Sequence, residues 1–335
     1  MKKYMDLWIE DIIGEEKLSR QHLEAYQWSK IKETFNRAVT CSPFYAELYK
    51  DVVLESPDDF HRLPFTTPED VCEHSLDMVC VPQGKISRIV TMETSGTTGK
   101  PKRIFFTEED QQLTVDFFHH GMKFIADETD VFMILMPCST PGSIGVLLRE
   151  ALEKSGVKVI PYGLSDGQDT ADILKIMERE NVTSCVAMPQ QLMQIAKASD
   201  GYNIRMRSVL LSADYVSEES RNVISEAWGC KIFEHYGMTE MGLGCAVHCS
   251  ELDGCPIREN DLYLEIIDPE TGEILPDGEE GEIVFTTLTR KGMPFIRYRT
   301  GDWSSIIKEP CKCGSVLKRL TRVGDRKMKK GGYHG

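Results

Sequence analysis

The sequence predicts an α/β fold in which a mostly parallel sheet is covered by helices. Between residues 131 and 236, short apolar runs of strand length alternate with stretches of helix length, the pattern of βαβ units. Strand ends in this region open into Gly/Pro-rich loops, which is where α/β sheets present ligands. At 335 residues the chain can bury a sizeable core, and chains of this size ordinarily divide into two or more domains or subdomains.

Taken in order, residues 19–46 place Leu23, Tyr26, Trp28, Ile31, Phe35 and Ala38 at helical spacing and run into Ser42-Pro43-Phe44-Tyr45. This is an amphipathic entry helix. Leu63 to Asp70 is a Pro-rich turn with Thr67 as helix N-cap and Pro68 at the first helical position. Ile86 to Met92 is rich in β-branched residues and reads as a strand, and the apolar pair Phe105-Phe106 lies in the next one. Between them stands Thr94-Ser95-Gly96-Thr97-Thr98-Gly99-Lys100-Pro101-Lys102. Its glycines let backbone N–H groups converge, its hydroxyls add donors and its lysines add charge, a combination suited to a polyphosphate. The plain alternative for a Gly/Ser/Thr cluster is a solvated turn. It is not a Walker A sequence, because no Gly-Lys-Ser/Thr follows at the right offset.

Glu108 to Phe124 reads as a helix, and Val131 to Met136 as a buried strand opening into Pro137-Cys138-Ser139-Thr140-Pro141-Gly142. A helix (144–154), a strand (157–161), a helix (170–180), a strand (184–188), a helix from Pro189 and a strand-loop from Ser208 to Tyr215 follow. His119-His120 falls in mid-helix with no third ligand in the adjoining sequence, which favours packing over a metal role. At Lys231 to Glu240 a strand ends in Tyr236-Gly237-Met238-Thr239-Glu240. Gly237 permits a tight turn that presents a ring, a hydroxyl and a carboxylate together. That set fits a nucleotide: the ring packs on adenine, the hydroxyl bonds the α-phosphate and the carboxylate holds Mg²⁺. After a Gly/Glu-rich turn (276–282) and the strand Ile283 to Thr287 comes Tyr298-Arg299-Thr300-Gly301-Asp302, with an exposed Asp following a Gly. The alternative for Asp302 is a turn-forming role.

Cys249 and Cys255, with Cys245 and His248 beside them, precede Cys311-Lys312-Cys313-Gly314. Four thiolates suit a closed structural zinc site, although the spacings are looser than in common zinc fingers, and ordinary buried thiols are the alternative. The chain has eleven cysteines, and those outside this cluster suit a reducing compartment. A net charge of −14 and a pI near 5.1 argue against nucleic acid as partner and leave a small molecule. Asp6, Glu10 and Asp11 interrupt the N-terminus before any signal peptide or membrane span, so a cytoplasmic protein is expected.

The loop from Thr94 to Lys102, the Tyr-Gly-x-Thr-Glu segment and Tyr-Arg-Thr-Gly-Asp together resemble the motifs of the adenylate-forming enzymes: acyl-CoA synthetases, peptide-synthetase adenylation domains and luciferases. Residues 25–49 resemble the opening of the phenylacetate–CoA ligase branch, and some relatives there carry metal-binding cysteines where the two pairs lie here. The resemblance implies the family's large N-terminal domain, with helix-flanked sheets and a smaller β-rich, barrel-like subdomain. It divides the chain into an entry segment (1–90), a nucleotide-binding core (91–240), a β-rich subdomain with a zinc knuckle (241–322) and a hinge remnant (323–335). The mobile C-terminal domain, which supplies a lysine for adenylation, is expected to be absent.

The same resemblance assigns residues. Thr94, Ser95, Gly96, Thr97, Thr98, Gly99 and Lys102 face the phosphates. Ala213 and Asp214 stand where the family places a segment against adenine, while Ser212 and Tyr215 depart from its pattern. Tyr236, Gly237 and Thr239 contact the nucleotide, Glu240 holds Mg²⁺, Asp302 holds the ribose hydroxyls and Arg326 contacts the nucleotide from the hinge remnant. Thr239, Glu240 and Lys102 carry the chemistry. Zinc falls to Cys249, Cys255, Cys311 and Cys313. The implied reaction is attack of a carboxylate on the α-phosphorus of ATP, giving acyl-adenylate and pyrophosphate, then thioester formation with coenzyme A or a carrier thiol. Residues 136–145, Ser212 and 236–241 would form the acyl pocket, for an aryl or arylacetic acid. Partners are the acid, a separate C-terminal-type domain or carrier protein, and a second copy in a homodimer. The alternatives are a nucleotide-binding module without turnover and an acyl-transfer component that depends on a partner.

Overall fold

The computed structural model describes residues 3–93, 100–163 and 169–325. The chain divides into two compact units. One comprises Met1–Met5, Leu113–Met238 and Leu243–Pro256; the other comprises Asp6–Gln112, Thr239–Gly242 and Ile257–Gly335.

The chain opens in helices: α1 (Tyr4–Ile13), α2 (Arg20–Cys41), α3 (Pro43–Leu48), α4 (Pro57–His61) and α5 (Pro68–His74). Ser19, Ser42, Ser56 and Thr67 cap α2 to α5, each side chain accepting from the N–H three residues on. Asp59 and Asp70 return the bond to the cap backbone, closing two capping boxes. β1 (Ile86–Met92) and β2 (Lys102–Thr107) then pair antiparallel, with Met92 opposite Lys102, and α6 (Glu108–Met122) follows.

The strands and helices of the parallel sheet alternate as the sequence predicts in β3 (Val131–Ile134), α7 (Ile144–Glu153), β4 (Lys158–Pro161), α8 (Thr170–Arg179), β5 (Ser184–Ala187), α9 (Pro189–Lys197), β6 (Ser208–Leu211) and β7 (Lys231–Tyr236); the structure adds α10 (Glu218–Trp228) before β7, and the short strands β8 (Ala246–Val247) and β9 (Cys255–Pro256) after it. Six strands lie in the order β4-β3-β5-β6-β7-β8, parallel except for β8, which runs antiparallel to β7. β5 and β6 are buried at every position because helices cover both faces of the sheet, and their only polar residues, Ser184 and Ser208, bond each other at 2.8 Å. The core of this unit joins Met133, Cys185, Val209 and Ile232 of the strands to Ile173, Leu192 and Ile224 of the helices.

In the other unit β10 (Leu262–Ile267), β11 (Gly281–Thr287), β12 (Tyr298–Ser304), β13 (Arg319–Leu320) and β14 (Gly324–Asp325) complete the chain. β10-β11-β12-β14 form an antiparallel sheet, and β11 is buried throughout. Helix α2 is tied to this unit by bonds from Gln27 Nε2 to the Glu259 carbonyl (2.9 Å) and from Thr34 Oγ1 to the Leu288 carbonyl (2.9 Å). Thr66, just before α5, adds a strand-like bridge beside Tyr298: its N–H donates to Arg297 O and its carbonyl accepts from Arg299 N. Among the described residues no helix is long and apolar enough to cross a membrane. The eleven cysteines form no disulfide.

Candidate active site

Glu240 sits in a short 3₁₀ turn, Thr239–Met241, and is 1% exposed. Its Oε1 accepts from Lys102 Nζ at 2.5 Å and from the Tyr298 hydroxyl at 3.2 Å, while Lys102 Nζ also donates to the Tyr298 oxygen at 3.1 Å. The three groups close a ring of three hydrogen bonds. Lys102 is the first residue of β2 and Tyr298 the first of β12, so the ends of two strands converge on the turn. Desolvation, and then the charge of Glu240, push the Tyr298 phenol well above its usual range, so it is neutral and donates to the carboxylate.

A second set of bonds fixes the backbone of the same turn. The Glu240 carbonyl accepts from Arg290 Nη1 at 2.7 Å, and the buried Arg290 guanidinium stacks on Phe106 at 5.2 Å. Arg290 is in turn located by Asp110, which is fully buried and accepts from the N–H groups of Thr107, Lys291 and Gly292 at 2.8–3.0 Å. A β-carbon on Gly292 would stand 2.5 Å from Asp110 Oδ2, so the close approach requires glycine.

Asp302 lies in the same unit, half-buried within β12. From the sequence it is expected to be an exposed residue following a glycine, with a turn-forming role as the alternative. The structure instead keeps it in a strand whose ladder with β11 shifts register between Glu282 and Val284, with Gly301 at φ +76° donating to Glu282 Oε1 at 3.1 Å. The Asp302 N–H donates to Thr300 Oγ1 at 3.0 Å.

In the unit containing the parallel sheet, Ala213 and Asp214 are exposed just beyond β6. Ala213 takes φ +70°, a left-handed conformation uncommon for a residue with a β-carbon. Tyr236 ends β7, and its carbonyl accepts from Cys245 N at 2.9 Å. Gly237 then passes so close to the returning chain that a β-carbon there would lie 2.6 Å from the Leu243 carbonyl oxygen. Ser212 Oγ bonds His235 Nδ1 at 3.0 Å, and the Phe117 and Phe118 rings pack on the imidazole at 6.1 and 6.0 Å. Desolvation pushes His235 down to about 4, leaving it neutral at pH 7.

His119 Nδ1 lies 3.2 Å from the Ala151 carbonyl and 3.1 Å from Ser155 Oγ, contacts of a packed helix. Cys249 and Cys255 are buried in the unit of the parallel sheet. Cys311 and Cys313 are buried in the other, their sulfurs 3.1 Å apart. The predicted nucleotide contacts Thr94, Ser95, Gly96, Thr97, Thr98, Gly99 and Arg326 lie outside the described residues. Sequence reasoning gave no role to Tyr298, Arg290, Asp110 or His235. Tyr298 and His235 each stand inside a recognised motif, a signal that could have marked them.

The profile of the family described as AMP-binding enzyme matches residues 53–288. The chain belongs to the AMP-binding enzyme family. Over 91% of its length this AMP-binding enzyme is 30% identical to a phenylacetate-coenzyme A ligase of Thermus thermophilus, spanning 70% of that protein. It is 28% identical to the phenylacetate-coenzyme A ligase of Escherichia coli (strain K12), over 93% of this chain and 72% of that one. The structure of a 2-hydroxyisobutyryl-CoA ligase in complex with 2-HIB-AMP and CoA superposes with a TM-score of 0.82 over 92% of this chain and 69% of that one; at 20% identity this is a likeness of fold. In this AMP-binding enzyme the Tyr236-to-Glu240 motif divides between the end of β7, which carries the ring and the glycine, and the 3₁₀ turn, which carries the carboxylate.

Proposed function

We propose that the chain is an AMP-forming carboxylate–CoA ligase. The carboxylate of an organic acid attacks the α-phosphorus of ATP and pyrophosphate leaves; the thiol of coenzyme A then attacks the acyl carbon, AMP leaves and a thioester forms. The observation that carries this reading is 30% identity, along nine-tenths of the chain, to a phenylacetate-coenzyme A ligase. The ring at Glu240 supports it. Magnesium would be held by Glu240, a hard oxygen donor of the kind Mg²⁺ takes in phosphate-transfer sites, and the position already accommodates a cation, the Lys102 ammonium. When bound, the metal would neutralise charge on the phosphates. The chain's own work is positional: Arg290 fixes the turn carbonyl, Tyr298 orients the carboxylate, and Lys102 places positive charge where pyrophosphate charge develops.

By family resemblance Tyr236, Gly237, Ala213 and Asp214 contact adenine and the α-phosphate region, Thr239 the α-phosphate, and Asp302 the ribose. An arylacetic or aryl acid is the proposed substrate class, because phenylacetate is named in both ligases to which the chain is similar along nine-tenths of its length. Coenzyme A is the proposed acceptor, with a carrier-protein thiol as alternative; a homodimeric state belongs to the same proposal.

Acid-dependent ATP–pyrophosphate exchange tests the first half-reaction with a panel of arylacetic, aryl and fatty acids. Exchange is expected with the first two classes, and Glu240→Gln should lower it by about two to three orders of magnitude, the usual cost of losing a preorganised charge partner. ATP binding without exchange for any acid would favour a nucleotide-binding module that does not turn over.

Zinc on the cysteines Cys249, Cys255, Cys311 and Cys313 is a separate proposal, supported by the burial of all four soft thiols. Metal analysis after exhaustive dialysis should find about one zinc per chain, and none in a Cys311→Ser/Cys313→Ser variant; metal-free wild-type protein would retire the idea.

A further inference from the structure

Glu240 does not present its carboxylate to solvent. The side chain is 2% exposed and Lys102 13% exposed, with Nζ and Oε1 2.5 Å apart. The Lys102 ammonium has three hydrogens, one given to Glu240 Oε1 and one to the Tyr298 oxygen. Tyr298 is fully buried, and its single hydroxyl hydrogen goes to the same Oε1. Arg290 does not compete for the carboxylate, because its Nη1 is directed at the Glu240 backbone carbonyl. Lys102 therefore balances Glu240 on a well-defined geometry that the phenol enforces.

A divalent cation on Glu240 would have to share with Lys102 an oxygen already 2.5 Å from an ammonium. At that range two cations repel strongly in a site without bulk water. Mg²⁺ also sheds its own water reluctantly and ordinarily arrives with phosphate oxygens. Nucleotide phosphates would change the balance by offering the ammonium a second anion.

We propose that Lys102, aligned by the Tyr298 hydroxyl, is a built-in counter-ion that keeps divalent cations off Glu240 in the nucleotide-free protein and yields the carboxylate when phosphates arrive. Tyr298 is thus a positioning residue. The inference rests on the reading of Glu240 as the magnesium-binding carboxylate of an adenylating enzyme.

The test is Mn²⁺ binding to the full chain without nucleotide, read by the loss of free-Mn²⁺ electron paramagnetic resonance signal. Lys102→Ala should tighten Mn²⁺ binding by about tenfold or more, because a unit positive charge leaves the site. Tyr298→Phe, which keeps the ring and loses the hydroxyl, should tighten it by about threefold by loosening the lysine. It keeps the test in force should Lys102→Ala fail to fold. Lys102→Arg should stay near wild type, and Glu240→Gln added to Lys102→Ala should remove the gain. Affinities in Lys102→Ala and Tyr298→Phe equal to wild type, or a gain that survives Glu240→Gln, would overturn the proposal. Wild-type pyrophosphate exchange separates the two ideas: exchange with unmoved Mn²⁺ affinities sinks only the counter-ion role, whereas absent exchange sinks the ligase reading.

Discussion

Arg297 shows how far one residue reaches toward the site. Its side chain is 2% exposed and its partner Glu265 1% exposed. Nε and Nη2 donate to the Glu265 carboxylate at 2.8–3.2 Å, Nη1 donates to the Leu63 carbonyl at 2.6 Å, and the guanidinium lies 4.2 Å over the Phe65 ring. The backbone at Arg297 takes φ +47°, and its carbonyl accepts from Thr66 N, which sets the position of Tyr298 one residue on. Burying such a pair gains little over a hydrophobic pair, but removing one member strands the other charge. Glu265→Leu should therefore cost about 3–5 kcal/mol in urea unfolding, and adding Arg297→Met should recover most of it. A loss below about 1 kcal/mol would show that Arg297 finds other solvation, and the pair would then not be what anchors Tyr298.

At the level of elements, legibility follows burial and contact distance. β3 to β7 are readable because strands buried on both faces become short uninterrupted apolar runs, and Gly/Pro loops separate them. Helix α10 escaped that reading: its buried positions are few and set among charges, although Ser217, which accepts from Ser220 N, is an ordinary cap signal. The turn at Gly237 is legible because a close backbone approach needs glycine whatever the fold. At Gly301 the positive φ serves an irregular stretch of strand, which a glycine in the sequence does not by itself distinguish from a turn. The motif around Tyr298 marks the residue but not its role: its partners Glu240 and Lys102 lie 58 and 196 positions away, and only the fold brings them together. The same holds for Asp110, which captures N–H groups 181 and 182 positions distant.

For the whole molecule, the acidic composition says little about stability, whereas the histidines say something specific. Desolvation pushes His61, His119, His120 and His235 below the ordinary histidine value, the last two to about 4. In the unfolded chain these imidazoles titrate near 6.5, so between pH 6.5 and about 4 the unfolded state binds protons that the folded state refuses. Their contribution is thus fully present above pH 6.5 and is lost as the pH falls toward 4. Carboxylates held below their usual range, such as Asp127 with its Thr129 bonds, lose their contribution only at lower pH. Glu265, raised by desolvation, works in the opposite sense, but it does so equally in wild type and in histidine variants. A partly exposed imidazole is screened, so His120 and His235 together should tilt stability by about 1–2 kcal/mol per pH unit in this window. Urea titrations at about pH 7 and pH 5 should show wild type weaker at the lower pH, with the difference reduced in His235→Phe and reduced further when His120→Gln is added. Equal stability at the two values, or variants that keep the full slope, would mean that these rings reach water in the folded protein and that the Ser212–His235 contact is not enclosed.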